Sequence, residues 1–129
     1  MTPTQQDTAR ALSKHPRFVP QRGMTGVRDA PGKADNLRPE LVVWGSEDDF
    51  RAFGCIPDLA DPATVGAIGA LARELTGVPT LHLERAHHHD DWFVAHDRTY
   101  AYTDKKYNPF VGPTEGEAWA NLILSLPHA

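Results

Sequence analysis

The stretch Ile56–Gly77, IPDLADPATVGAIGALARELTG, decides how this chain folds. Asp61 offers a carboxylate where a helix start needs an acceptor for its free N–H groups. Pro62 brings a φ already suited to the first helical turn, and Gly77 ends the helix where a left-handed residue is needed. The spacing predicts a helix over 62–76. Val65, Ile68, Leu71, Ala72 and Leu75 recur at helical intervals and form its apolar face, while Gly66, Ala67, Gly69 and Ala70 leave the other side small. A glycine inside a helix costs about 1 kcal/mol relative to alanine, so this pair predicts close approach of a sheet or a second helix and burial on more than one side.

Downstream, Thr80–Arg85 alternates, with Leu81 and Leu83 on one face and His82 and Glu84 on the other. Trp92–His96 and Thr99–Thr103 read as two more strands, separated by the polar tract 86–91 and by Asp97-Arg98. Thr114 with Glu117 forms a capping box for a final helix whose apolar stripe is Trp119, Leu122, Ile123 and Leu126, ended by Pro127. Upstream, Leu41–Trp44 suggests a strand closed by Gly45. Ser46 with Asp49 suggests a turn of helix that carries Phe50 and Phe53 inward. Thr2 with Gln5 marks a short helix that must stop by His15, because Pro16 disfavours helical backbone before it. From Pro16 to Pro39 prolines and glycines dominate and no periodicity survives, which predicts irregular, extended backbone.

The expected fold class is therefore α+β: a two-layer domain in which an antiparallel meander of three to four strands is packed by two helices, preceded by an extended irregular arm. Residues 1–39 are assigned to that basic Pro/Gly-rich arm with its short helix, and residues 40–129 to a compact α+β domain. A length of 129 residues suits one core. Cys55 is the sole cysteine, which rules out an intramolecular disulfide and a cysteine zinc cage. No apolar run reaches the ~20 residues needed to span a bilayer, and the start MTPTQQDTAR lacks the apolar segment of a secretory signal. These features predict a cytoplasmic protein with no membrane role.

The net charge of −4 hides a division. Residues 1–39 carry seven bases (Arg10, Lys14, Arg17, Arg22, Arg28, Lys33, Arg38) against three acids, a net +4, and the remainder carries six bases against fourteen acids, a net −8. A basic leader on an acidic body can fold back on that body, dock on another subunit or reach a polyanion.

The segments HPRF (His15–Phe18), Gly23-Met24, PDLADPATVGAIGALARE (Pro57–Glu74) and GPTEGEAWANLI (Gly112–Ile123) make the chain resemble uncharacterised proteins of tailed bacteriophages and prophages. Their pattern is HPxF near the front, a PDxxDPAT helix start, a tryptophan-bearing hairpin and a closing GxTExEA helix. A weaker likeness, from about Pro57 onward, is to phage α-β-α sandwich domains. The resemblance covers most of the chain, implies a bacterial host cytoplasm, and rests on caps, a turn and a core tryptophan; it carries no activity. The chain departs from the pattern in a longer histidine-rich hairpin tip and a tyrosine-rich third strand.

Three constellations bear on function. His87, His88, His89, Asp90 and Asp91, flanked by His82 and His96, form the tip. Of these His87, His89 and Asp91 share one side of an extended backbone and could hold a divalent metal, against the plainer reading of a solvated polar turn without supporting partners. Tyr100, Tyr102 and Tyr107 with Lys105 and Lys106 combine stacking surfaces with positive charge, as in single-stranded nucleic acid sites, although Tyr100 and Tyr102 on one strand face equally suit packing against the helices. The acidic body disfavours nucleic acid. Glu47, Asp48 and Asp49 could mimic phosphates, but acids at a helix start also match its dipole. Cys55 reads as a small buried side chain, and no phosphate-cradling glycine loop, serine elbow or stand-out carboxylate pair is present.

Together these features predict a non-enzymatic phage-type accessory or host-interaction protein, with an anti-defence role among the options. Its partner is expected to be a protein that contacts Arg17, Arg22, Arg28, Tyr100, Tyr102, Lys105 and Lys106. A virion structural or decoration protein, or a metal-dependent enzyme centred on the histidine-rich tip, are the alternatives. No cofactor is expected beyond that possible metal, and the small side of the 62–76 helix would suit a homodimer.

Overall fold

The computed structural model describes residues 1–21, 23–28, 39–40, 54–85, 91–95 and 111–127. The fold class is α+β, with three helices and two small antiparallel sheets among these residues. Helix α1 spans Pro3–Lys14, α2 spans Pro62–Thr76 and α3 spans Glu115–Leu124. One sheet, ordered β2-β1-β3, contains β1 (Gly26–Arg28), β2 (Pro39–Glu40) and β3 (Cys55–Pro57), with Val27 opposite both Pro39 and Ile56. The other is a meander, β4-β5-β6, made of His82–Arg85, Trp92–Ala95 and Val111–Gly112. Leu83 pairs with Val94, and Phe93 pairs with Val111.

Each helix starts as its sequence dictates. Thr2 accepts the Gln5 N–H at 3.1 Å while Gln5 Oε1 accepts the Thr2 N–H at 2.7 Å, a reciprocal capping box. Asp61 caps α2 through Thr64 N–H, Thr114 caps α3 through Glu117 N–H, and Gly77 closes α2 at φ 71°. The extent of α2 matches the expectation in full, whereas α3 stops at Leu124 and leaves Leu126 beyond its end.

The three helices lie side by side and run in the same direction. At one end Gln5 Nε2 reaches Thr114 Oγ1 at 3.5 Å, the Leu59 N–H reaches Met1 Sδ at 3.3 Å, and Leu59 packs against Gly116. At the other end His15 Nε2 meets the Leu126 carbonyl at 3.1 Å and Arg17 donates to the Leu75 carbonyl at 3.4 Å. Parallel neighbours align their macrodipoles unfavourably, and the charges offset this: Asp61, Glu115 and Glu117 stand at the positive ends, Lys14, Arg17 and Arg73 at the negative ends.

Helix α3 is the hub, in contact with α1, α2, β5 and β6. Its Trp119 fills the space left by Gly69 of α2: a Cβ on Gly69 would lie 2.9 Å from the indole. This is the close approach that the paired glycines implied, but only one of them serves it. Gly66 and Ala70 are exposed, so α2 is buried on a single broad face, a correction to the expectation of burial on more than one side.

A second finding concerns the leader. Ala9, Leu12, Phe18, Met24 and Val27 belong to the same core as Ile56, Ile68, Trp119 and Ile123, and Phe18 is fully buried. Helix α1 appears as expected, whereas β1 and the start of β2 fall in the Pro16–Pro39 stretch, where proline and glycine content predicted irregular backbone. The expected strands at Leu41–Trp44 and Thr99–Thr103, and the helical turn near Ser46, lie outside the described residues; the meander's third described strand is Val111–Gly112.

Candidate functional site

Two groups of linked polar contacts stand at the two ends of the helix layer. At the C-terminal end it is built by His15-Pro16-Arg17-Phe18. Pro16 halts helical backbone, His15 takes extended dihedrals, and the Phe18 N–H turns back to the His15 carbonyl at 3.0 Å, which directs Phe18 into the core. The His15 ring is 4 % exposed. Its Nδ1 accepts the Arg17 N–H at 3.2 Å, and since that N–H can only donate, Nε2 carries the proton shared with the Leu126 carbonyl. The imidazole thus joins the end of α1 to the chain leaving α3, and Arg17 extends the link to the last turn of α2.

At the N-terminal end the Thr2–Gln5 capping box meets the Thr114 cap, where the expected reciprocal bond is replaced by one from the Thr114 hydroxyl to the Glu117 carboxylate. Thr114 Oγ1 accepts from Gln5 Nε2 and from the Glu117 N–H, and donates to Glu117 Oε2 at 2.8 Å. The Glu117 carboxylate is 1 % exposed and its Oε1 has no hydrogen-bond partner. Gly112 and Gly116 make this packing feasible, because a Cβ on Gly112 would lie 2.6 Å from the Ala118 nitrogen and one on Gly116 would collide with the Leu59 carbonyl. The GPTEG segment is therefore read as close backbone contact as much as helix start.

Nearby, Asp61 Oδ2 receives Thr64 N–H at 3.0 Å, Thr64 O–H at 2.9 Å and Thr25 O–H at 3.1 Å, and the Thr25 N–H donates to Thr64 Oγ1 at 2.7 Å. Burial alone would raise the Asp61 pKa; the bonds from the Thr64 side chain, the Thr64 backbone and Thr25 outweigh it and hold the carboxyl below its ordinary 3.8.

Comparison with protein-family models, with curated proteins and with solved structures finds no match to this chain. The site is therefore interpreted from its own geometry.

Of the residues singled out in the sequence, Arg17 is described, and it faces the end of α2. Asp91 is described as a half-buried residue directly before β5. Arg28 is described only as the last backbone position of β1. Arg22, His87, His89, Tyr100, Tyr102, Lys105 and Lys106 lie outside the described residues, as do His88, Asp90, His96 and Tyr107. Among the described residues no three His, Cys, Asp or Glu side chains gather in a metal-ligating group. His82, which flanks the tip, directs Nδ1 to the Thr80 carbonyl at 3.0 Å and Nε2 to Glu84 at 3.1 Å on an exposed strand. Cys55 is buried in β3, as expected. No described helix is long and apolar enough to cross a membrane.

The role of His15 was not legible as a site from the sequence. The signal was its position, a histidine followed by proline just after a helix, where an imidazole can reach carbonyls that helical bonding leaves free. The chemistry of both ends is that of holding. Every polar side chain named there, apart from Glu117 Oε1, has its partner within the fold.

Proposed function

We propose that the protein is a non-enzymatic binding protein of the bacteriophage accessory type, acting on a host protein in the bacterial cytoplasm. One observation carries the reading: the segments that make the resemblance, HPRF, PDLADPAT and GPTEGEAW, are all engaged in fastening helix ends or glycine contacts, so what they specify is a scaffold. In such a protein recognition belongs to the segments in which this chain departs from the pattern, the histidine-rich tip at 86–91 and the tyrosine- and lysine-bearing stretch at 99–107. Tyrosine and lysine there offer contact area and charge to an acidic protein surface. An anti-defence role fits this chemistry.

The test is capture of host proteins by the tagged chain during infection, alongside a chain with Tyr100, Tyr102, Lys105 and Lys106 changed to alanine. A stoichiometric host protein retained by the first and lost by the second supports the reading. A zinc ion taken up stoichiometrically and lost when His87, His89 and Asp91 become alanine, with no retained protein, overturns it in favour of a metal site.

A further inference from the structure

The chain has two methionines, and each thioether accepts a backbone N–H: Leu59 N–H reaches Met1 Sδ and Gln21 N–H reaches Met24 Sδ, both at 3.3 Å. Their surroundings differ. Met24 is 1 % exposed, whereas Met1 is half-buried and packs on the core from its edge, held by the bond from Gln6 Nε2 to its carbonyl at 3.2 Å. The N–H that Met1 accepts belongs to the turn leading into the Asp61 cap, and the same Leu59 lies against Gly116 at the start of α3, where not even a methyl group would fit.

We propose that Met1 is a peroxide-sensitive modification site whose oxidation loosens the junction of the three helix N-termini. A thioether lone pair attacks the terminal oxygen of a hydroperoxide. The S–O bond forms as the O–O bond breaks, sulfur loses two electrons to become the sulfoxide, and the peroxide leaves as water or an alcohol. In the sulfoxide the added oxygen, on the lone pair that reached the peroxide, becomes the acceptor and the sulfur itself ceases to be a good one. The Leu59 N–H must then either lose its acceptor or move out to follow the new one, and movement takes Leu59 off Gly116. Met24, enclosed on all sides, is protected from the same reagent.

The test uses the full chain released from a fusion cut immediately before Met1, so that this residue is retained, and exposes it to hydrogen peroxide. Peptide-level mass spectrometry follows each sulfoxide, and hydrogen exchange follows the Leu59 amide. Met1 is expected to oxidise several-fold faster than Met24, Leu59 exchange to rise several-fold in step with it, and methionine sulfoxide reductases to reverse both. In M24L the response persists; in M1L peroxide leaves Leu59 exchange unchanged. Oxidation of Met24 at the rate of Met1, or a Met1 sulfoxide that leaves Leu59 exchange unaltered, overturns the proposal, and M24L alone supplies the second readout should M1L fail to fold.

Discussion

The ring of His15 lies with Nε2 3.1 Å from the carbonyl oxygen of Leu126, a residue 111 positions away, and this contact fastens the last turn of α1 to the exit of α3. Replacement of His15 by alanine leaves the Arg17 N–H and the Leu126 carbonyl without these partners at a buried position. A buried polar group deprived of its partner costs about 1–3 kcal/mol, so His15→Ala is expected to lower stability by about that amount in urea unfolding. A loss of only a few tenths would mean that water replaces the ring without penalty.

Asp61 gives a prediction in pH. Its carboxyl is held below 3.8 in the folded chain, so its contribution is present in full above the ordinary carboxylate value and is lost as pH falls through the lower folded value. Unfolding midpoints measured from neutral pH downward should therefore fall less steeply in Asp61→Asn than in the parent at the acid end. Asp61→Ala, which removes the acceptor from Thr25 and Thr64 altogether, should cost about 1–2 kcal/mol at neutral pH. Identical acid profiles for the parent and Asp61→Asn would contradict the hydrogen-bond assignment.

The two glycines of α2 should respond in opposite directions to the same change. Gly66 is exposed with nothing within 4 Å of an added Cβ, so Gly66→Ala should stabilise by about 0.5–1 kcal/mol through helix propensity alone. At Gly69 the added Cβ meets the Trp119 ring at 2.9 Å, and that ring is held beneath the Arg73 guanidinium, 5.2 Å from its centroid. Arg73 is itself anchored to the Leu81 carbonyl at 2.8 Å. Gly69→Ala should therefore destabilise, by about 1–3 kcal/mol, as overpacking does. Thermal midpoints of the two variants, measured side by side, check the pair.

The sequence was informative wherever a local rule chooses the structure. The caps at Thr2, Asp61 and Thr114, the stop at Gly77 and the apolar face through Ile68 and Leu71 follow from short-range chemistry, and all of them appear as read. Burial of Phe18 and Met24, the pairing of Val27 with Ile56, and the bond from His15 to Leu126 depend on partners 29 to 111 residues away, which local patterning cannot name. The two glycines of α2 look alike in sequence because a helical position alone does not say which neighbour will cover it. For the candidate site the limit is similar. Composition marked the histidine tip and the tyrosine-lysine stretch as chemically distinct, while the role of Arg17 as a donor to the end of α2 could come only from the packing of α1 and α2 on the same helix α3.

The leader supplies the last prediction. Residues 1–27 place Ala9, Leu12, Phe18, Met24 and Val27 in the core, and the sheet β2-β1-β3 has β1 as its central strand. Removal of residues 1–39 would expose the apolar surface of α3 that α1 covers and leave β3 without its described neighbour. Full burial of a large apolar side chain contributes about 1.5–3 kcal/mol, so loss of Leu12, Phe18, Met24 and Val27 removes about 6–12 kcal/mol, comparable to the whole of the roughly 5–15 kcal/mol by which a domain of this size is stable. The truncated chain is expected to show no cooperative thermal transition and poorly dispersed amide resonances. A truncated chain that still melted cooperatively would mean that residues 40–129 form a self-sufficient body, with the leader an appendage rather than part of the core.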